Sequence, residues 1–264
     1  MTAVGPNLDI VIHRATEALD AYKSREFWED RFRELALWPD MLRYDLRSQK
    51  YSAEIDTFFL NFQLVAALQS DRNRVAGIAH AVPLFIGDAT RDLPDTGWDW
   101  ALHKAVEDHL TRTPPDAICG LSITVLPEYQ RCGVGRLLIQ EVVQLAATEG
   151  FRNVVMPVRP ISKRKYPSMV MEEFLIWRRE DGFHYDPWIR AHEVTGGVVK
   201  KVCNRSMTIA APISAWEHWC GRRFVESGVY PVKDGLAPVT IDLEKHLGVY
   251  LEPNIWVLHS CESN

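Results

Sequence analysis

The sequence lacks the cysteine patterns that disulfide frameworks and zinc sites require. Its five cysteines are an odd number, with no C-x-x-C spacing and no matched pair of histidines. It also lacks an apolar stretch of the roughly 20 residues that span a bilayer, and its N-terminus has no basic segment followed by an apolar one. These absences predict reduced thiols, no metal site, no membrane partner and a cytoplasmic location.

A surplus of positive charge is missing as well. The 264 residues contain 30 Lys and Arg against 35 Asp and Glu, a formal net charge of -5. Because a nucleic-acid backbone is held by a basic surface, nucleic acid is not expected as a partner. The hydrophobic share of 47% and the charged share of 25% are those of an ordinary globular chain, which excludes extensive disorder.

The most informative segment that is present is Ile118–Arg136, in which an apolar strand runs through a turn into an amphipathic helix. Gly133 and Gly135 lie in the turn, Gly150 ends the predicted helix, and a second apolar run follows at Val154–Val158. A helix N-terminus presents unpaired backbone N–H groups, and glycines allow close approach of a ligand. The unit of strand, turn, helix and strand therefore predicts a phosphate-binding site.

Two common phosphate motifs fit this turn poorly. A Walker loop requires a Lys-Ser or Lys-Thr pair after the glycines, and none follows here. A dinucleotide fingerprint requires a third glycine where this chain has Leu138.

The turn instead resembles the signature Q/R-x-x-G-x-G/A of the GNAT superfamily of acyl-CoA-dependent N-acyltransferases. The signature reads here as Gln130-Arg131-Cys132-Gly133-Val134-Gly135, and Leu126-Pro127-Glu128-Tyr129 is similar to the usual lead-in. The resemblance implies an α+β (mixed α/β) fold, a splayed mixed central sheet flanked by helices. It also implies direct transfer of an acyl group from acetyl-CoA or another acyl-CoA to a small-molecule amine, with no metal.

The same resemblance implies a cofactor site, with the pantetheine arm paired to the end of the motif strand and the pyrophosphate on the turn. The residues expected to contact acyl-CoA are Ile123, Thr124, Val125, Gln130, Arg131, Cys132, Gly133, Val134, Gly135 and Arg136. The basic run Lys163-Arg164-Lys165 has two interpretations, a solvated face or a contact with the 3′-phosphate of coenzyme A.

Three residues are candidates for catalysis. Asp186–Gly197 is similar to the family segment N-x-x-A-x-x-x-Y-x-x-x-G-F, and His192 stands where that segment has tyrosine. In the family the tyrosine protonates the departing sulfur, and an imidazolium can serve as that acid because its ordinary pKa of about 6.5 lies near working pH. Glu128 is the candidate carboxylate base, and Thr124 is the third candidate.

Three other functions stay open at this stage. Some proteins that resemble GNATs decarboxylate malonyl-type thioesters with a threonine and a histidine, for which Thr124 and His192 are the candidates. A non-catalytic acyl-CoA-binding sensor is favoured by the loss of the family tyrosine. A structural subunit of a larger complex is the third.

The rest of the chain divides into three predicted parts. Residues 1–55 form a helical segment, residues 56–210 a GNAT-like core with inserts at 87–116 and 159–185, and residues 211–264 a C-terminal extension packed on the core. The extension could widen the sheet, cover the acceptor site or form a homodimer surface. Acidic residues of the second insert suit a cationic acceptor, namely Glu172, Glu173, Glu180 and Asp181.

Several elements are predicted from periodicity. Helices are expected within Asn7–Ala36 and over Trp98–Thr111 and Met169–Arg179, and a hairpin is expected from strands at Thr57–Leu68 and Val75–Ile86. Val198–Val202 and Met207–Ile209 are expected to form the final strand pair. Trp98 and Trp100 either line a substrate pocket or pack their helix onto the body.

Overall fold

The computed structural model describes residues 9–18, 20, 22, 38–87 and 92–261. One sheet holds the strands found in these residues: β1 (Ile10–Arg14), β2 (Leu64–Leu68), β3 (Asp71–Leu84), β4 (Ala117–Val125), β5 (Asn153–Val158), β6 (Val198–Pro212), β7 (Gly228–Tyr230), β8 (Val239–Asp242) and β9 (Leu247–Ser260). The described α-helices are α1 (Leu46–Phe58), α2 (Gly97–Thr111), α3 (Val134–Thr148), α4 (Met171–Leu175), α5 (Pro187–Val194) and α6 (Ile213–Cys220).

The strand order places β4 and β5 at the centre of the sheet. The order is β1-β2-β3-β4-β5-β9-β8-β7, and β6 pairs with β9 along its other edge. Every pairing is antiparallel except that of β4 with β5. The predicted splayed mixed sheet flanked by helices is therefore confirmed.

Helices cover both faces of the central strands, because successive side chains of β5 pack against different helices. Val154 and Met156 pack in the same apolar cluster as Leu138 and Val142 of α3, whereas Val155 packs with Leu102 of α2. The apolar stripe that the sequence predicts for α3 is buried, with the exception of Leu137, which is exposed. We call the two sides the α3 face and the α2 face.

The structure corrects four predicted elements, one of which is the helix expected over Met169–Arg179, found only as the short α4 (Met171–Leu175). Ile10–Arg14, predicted as helix, is strand β1. Its backbone groups pair with those of β2, and Ile10 and Ile12 pack against the apolar core. Thr57 and Phe58, predicted as strand, end α1, and the strand begins only at Leu64. The expected final pair of strands is one long strand, β6, which pairs with β9 across two register shifts. The aromatic stripe predicted for residues 27–37 lies outside the described residues.

The segment 211–264, expected to pack on the core as an extension, contributes β9 to the middle of the sheet. The second half of β9, Ile255–Ser260, pairs directly with β5, and its first residues, Leu247–Tyr250, pair with β8. Between these two stretches Glu252 and Asn254 are buried. The C-terminal residues thus complete the sheet beside β5.

Within the part of the chain that the structure describes, no helix combines the length and the apolar character that crossing a membrane would require.

Candidate active site

The central feature of the candidate site is the divergence of β4 from β5. The two strands pair only through Ala117–Asn153, Ile118–Val154 and Cys119–Val155. Among the described residues, no strand pairs with this side of β4 beyond Cys119, and the residues of β4 change from buried to partly exposed between Leu121 and Ser122. The sheet therefore opens into a wedge whose edge is the last part of β4, where backbone groups are available to a ligand.

A β-bulge lies at the start of the wedge. On the β3 side His80 pairs with Ser122 and Ala81 pairs with Gly120, which leaves Leu121 as an extra residue of β4. The carbonyl of Leu121 accepts a hydrogen bond of 3.0 Å from the indole Nε1 of Trp98. Bulges re-aim side chains next to functional sites. Here the bulge separates the paired part of β4 from its open edge.

A second tryptophan reaches the open edge from another part of the chain. The indole Nε1 of Trp38 donates to Oγ1 of Thr124 at 3.1 Å. Trp38 and Trp98 are both partly buried, and both donate to β4 within the span Leu121–Thr124. Trp98, for which the sequence left two interpretations, thus lies at the wedge, whereas Trp100 packs edge-on against Trp256.

The turn after β4 has the conformation of an anion site. Gly133 caps α3 with a φ of 90°, and Arg131 has a φ of 61°. Such alternation of left-handed and ordinary residues turns successive N–H groups toward one point, at the positive end of the helix dipole. A β-carbon on Gly133 would lie 3.8 Å from Nη2 of Arg136, so this guanidinium lies beside the turn. The residues present therefore fit a pyrophosphate.

Two side chains hold the turn against the sheet. Gln130 Nε2 donates to the carbonyl of Val125 at 3.0 Å, which fixes the turn to the end of β4. The buried Tyr129 accepts a bond of 3.2 Å on its hydroxyl from Nη2 of Arg74. Arg74 is a cation near the turn that the sequence did not single out, because its strand is far from the motif along the chain.

The geometry agrees with the comparison of the sequence with known families. The model of the family described as "Acetyltransferase (GNAT) family" matches residues 25–164. The chain belongs to the GNAT family. It is an N-acetyltransferase of that family, and GNAT enzymes use an acyl-CoA as co-substrate.

A curated relative supports the same assignment. The arginine N-acetyltransferase avaD of Aspergillus versicolor is 30% identical in an alignment of 249 residues, and the match covers 85% of this chain and 85% of the relative. Among solved structures, the loading GNATL domain of CurA from Lyngbya majuscula matches with a TM-score of 0.56 at 16% identity, over 96% of this chain and 98% of that one. The GphF GNAT-like decarboxylase in complex with isobutyryl-CoA matches with a TM-score of 0.52 at 16% identity, over 96% and 99%. The two structures show that this GNAT chain shares their fold.

His192, the candidate acid, lies on α5 on the α3 face of the sheet. Its side chain is 1% exposed, and its Nδ1 lies 3.0 Å from Nε2 of His259 on β9. Burial, and then the neighbouring His259, hold the pKa of His192 well below its ordinary value. Burial likewise lowers the pKa of His259 to about 4. Both rings are therefore neutral near pH 7.

The other two catalytic candidates lie elsewhere. Glu128 is exposed in the single 3-10 turn Pro127–Tyr129 that follows β4. Val125 faces α3, since its Cγ2 lies 3.9 Å from the position of a β-carbon on Gly135. Side chains alternate along a strand, so Thr124 points to the α2 face. Thr124 and His192 therefore lie on opposite faces of this GNAT sheet.

The basic run contains a buried residue, which neither interpretation from the sequence anticipated. Lys163 is fully buried, and its Nζ donates to the carbonyls of Tyr166 at 2.7 Å and Leu236 at 2.8 Å. Burial lowers the pKa of Lys163, an effect that the charge of Glu252 partly offsets. The two carbonyl bonds make this lysine a link between chain segments, and Arg164 pairs with Asp234.

A buried ion pair closes the sheet where β5 ends. Arg159 donates its Nε to Glu252 of β9, and its Nη2 donates to the carbonyl of Asp234 at 2.7 Å. The hydroxyl of Tyr250 donates to the second oxygen of Glu252, and this hydroxyl accepts from the N–H of Leu236. The carboxylate is thereby satisfied on both oxygens, as a buried charge requires.

Among the described residues, no group of three or more His, Cys, Asp or Glu side chains could hold a metal ion, and the five cysteines are free.

Sequence reasoning missed Trp38, Gln63 and His80 at this site. Gln63 is buried beside β2, and its Oε1 lies 3.0 Å from Nδ1 of His80 on β3. None of the three belongs to the glycine motif or to the α5 segment, and no local spacing connects them. Only the pairing of β3 with β4 brings His80 beside the wedge.

Proposed function

We propose that this GNAT enzyme transfers an acetyl group from acetyl-CoA to a nitrogen of a small cationic acceptor, with arginine as the first compound to test. The observation that carries the proposal is the 30% identity to an arginine N-acetyltransferase over 85% of both chains.

The α2 face of the wedge suits a cationic acceptor. Trp38 and Trp98 are anchored to β4 through their indole N–H groups, so the direction of each ring is fixed. Ammonium and guanidinium groups are attracted to the face of an indole, and anchored rings lose little entropy on binding. We infer that these two rings form walls of the acceptor site.

The turn and the open edge of β4 supply the acyl-CoA site in this proposal. The N–H groups from Arg131 to Arg136 receive the pyrophosphate, with the two guanidinium groups beside it. The backbone of Ile123–Val125 receives the pantetheine arm as a strand partner, because no strand in the described part of the chain pairs with this edge. Acetyl-CoA supplies the activated acetyl group. A backbone N–H of the same edge would polarise the acyl carbonyl, which stabilises charge that develops during transfer.

Gln130 and Gly135 are assigned a supporting part in this site. The side-chain amide of Gln130 donates to the Val125 carbonyl. Gly135 allows Trp188 to pack against the start of α3. Cys132 and Val134 contribute their backbone N–H groups. Thr124 contributes its backbone and accepts the bond from Trp38.

His192 remains a proposal as the acid, whereas Glu128, which is exposed and lies beyond the end of β4, is the less favoured candidate for the base. A neutral, buried imidazole is a weak acid, so protonation of the sulfur by His192 would require that substrate binding first opens a route to its ring. Substitution of His192 by phenylalanine tests the assignment: a loss of kcat at unchanged acetyl-CoA affinity supports it. An unchanged kcat would leave His192 a structural residue.

The experiment is an assay of the purified protein with acetyl-CoA and, separately, arginine, agmatine, lysine and a neutral aliphatic alcohol. Release of free thiol is followed with time, and the products are weighed by mass spectrometry. We expect an acetyl adduct on a cationic acceptor. Parallel reactions with malonyl-CoA and isobutyryl-CoA test the acyl group: loss of carbon dioxide from malonyl-CoA, or binding without turnover of any acceptor, would contradict the proposal.

A further inference from the structure

His80 lies beside the wedge in a defined orientation. It is half-buried on β3, directly opposite Ser122, the first partly exposed residue of the open edge of β4. Residues that pair across an antiparallel ladder share a face of the sheet, and so do alternate residues of one strand. His80 and Ser122 therefore lie on the α2 face with Thr124, where Trp38 contacts the strand.

The hydrogen bonds of Gln63 determine which ring nitrogen of His80 carries the proton. Gln63 Nε2 donates to the carbonyls of Phe59 at 2.7 Å and Ala81 at 2.9 Å, which uses both amide hydrogens. Its Oε1 is thus the atom 3.0 Å from Nδ1 of His80. An amide oxygen only accepts, so Nδ1 is the N–H donor, and the basic lone pair is on Nε2.

The ring is held in place from a second side. Tyr22 packs edge-on against His80 with ring centroids 6.4 Å apart, and the Tyr22 hydroxyl donates to Oδ1 of Asp56 on α1 at 2.6 Å. Among the described residues, Tyr22 is a titratable group in contact with the His80 ring, and Asp56 is the acceptor of the Tyr22 hydroxyl. A histidine with a fixed tautomer and a fixed ring has the arrangement of a general base.

Acyl transfer to a cationic acceptor requires such a base. Ammonium and guanidinium groups are protonated at pH 7, and the nitrogen cannot attack until its lone pair is free. Neighbouring strands lie about 4.8 Å apart, so a group on β3 opposite Ser122 is within reach of the wedge through one water. Glu128, the carboxylate suggested by the sequence, lies instead beyond the end of β4.

We propose that His80 is the catalytic base, which takes the proton from the acceptor nitrogen on its Nε2, directly or through one water. The inference rests on the proposed acetyl transfer. The acceptor nitrogen loses one proton to His80, the C–N bond forms and the C–S bond breaks. The second proton of that nitrogen goes to the sulfur, so the products are the amide and the free thiol of coenzyme A. The imidazolium then releases its proton to solvent.

The test compares His80→Gln with the wild type, using acetyl-CoA and the best acceptor of the panel. We expect kcat to fall at least 100-fold while the Kd of acetyl-CoA, measured by calorimetry, changes less than twofold. The wild-type dependence of kcat/KM on pH should show one ionisation between pH 5 and 8 that the variant lacks. A matched control is His218→Gln, an exposed histidine on α6, which should leave kcat and the pH profile unchanged.

A second variant keeps the test decisive if His80→Gln binds acetyl-CoA poorly. In His80→Ala, added imidazole should restore turnover in a saturable manner, which a purely structural histidine would not permit. No rescue, or a His80→Gln enzyme within threefold of the wild-type kcat, would overturn the assignment of His80. Failure of the wild type itself to acetylate any acceptor would instead reject the proposed function.

Discussion

The ring of Trp188 on α5 occupies the space beside Gly135 on α3. A β-carbon on Gly135 would lie 2.9 Å from Cζ3 of Trp188, a distance that real β-carbons do not show. The second glycine of the motif is therefore required for helix packing in this chain. A charge placed at Gly135 would disturb α5 and the cofactor turn together, so the turn is better tested at a neighbouring residue.

Cys132 offers that test. It is half-buried in the turn and has an ordinary φ. We expect Cys132→Asp to weaken acetyl-CoA binding at least 10-fold, because it places a carboxylate where the pyrophosphate is proposed to lie. Calorimetric titration gives the affinity, and thermal unfolding shows whether the fold is kept. Cys132→Ser is the matched control, and equal affinity of the two variants would reject the pyrophosphate assignment.

Trp98 should control affinity for the acceptor. If its ring binds a cation, Trp98→Leu removes the attraction and should raise the acceptor KM about 3- to 30-fold, corresponding to about 0.5–2 kcal/mol. Trp98→Phe keeps an aromatic face but loses the bond to Leu121, so it should raise this KM less. Steady-state kinetics with each substrate varied separates the effects. The KM of acetyl-CoA serves as the internal control, and a parallel rise in both constants would contradict a role in acceptor binding.

The pair of His192 and His259 should make stability depend on pH. Burial lowers the pKa of both rings in the folded state, so the unfolded chain binds more protons as pH falls below about 6.5. The free energy of unfolding should therefore decrease with falling pH, and the contribution of His259 is lost between pH 6.5 and its folded pKa of about 4. For His259 this loss is about 3 kcal/mol.

The measurement is urea unfolding at several pH values between 7 and 4.5, on the wild type and on a variant that carries His192→Leu and His259→Leu. The lowered pKa of His184 contributes equally to both proteins. The difference in slope therefore reports the pair. Parallel curves would mean that the two rings do not resist protonation in the folded protein.

Lys163 should matter for stability and not for the cofactor. Lys163→Met leaves the carbonyls of Tyr166 and Leu236 without their donor, at a cost of about 1–3 kcal/mol. Lys165→Met, two residues along and exposed, should change the free energy of unfolding little. Chemical unfolding and acetyl-CoA titration of both variants provide the check. A weaker acetyl-CoA affinity confined to Lys163→Met would favour the contact with the 3′-phosphate instead.

The sequence predicted the unit of strand, turn and helix well because its signals are local. The alternation of Leu121–Val125, the apolar stripe of α3 and the stop at Gly150 all depend on residues close along the chain, and each is found as expected. Ile10–Arg14 shows where such signals fail. A segment of only five residues with some apolar members fits the period of a helix as well as that of a strand. Pairing with β2, which lies far along the chain, makes this segment a strand.

The chain by itself determined the family, the glycine turn and the order of strand, helix and strand, since short-range periodicity and backbone chemistry specify these. Only the tertiary structure decided that Gly135 leaves room for the ring of Trp188, that Lys163 is buried, and that His192 faces His259. It also decided that Gln63 orients His80 beside the wedge. Each of these contacts joins residues from different elements, and the sheet that brings them together is stabilised by the burial of the whole core.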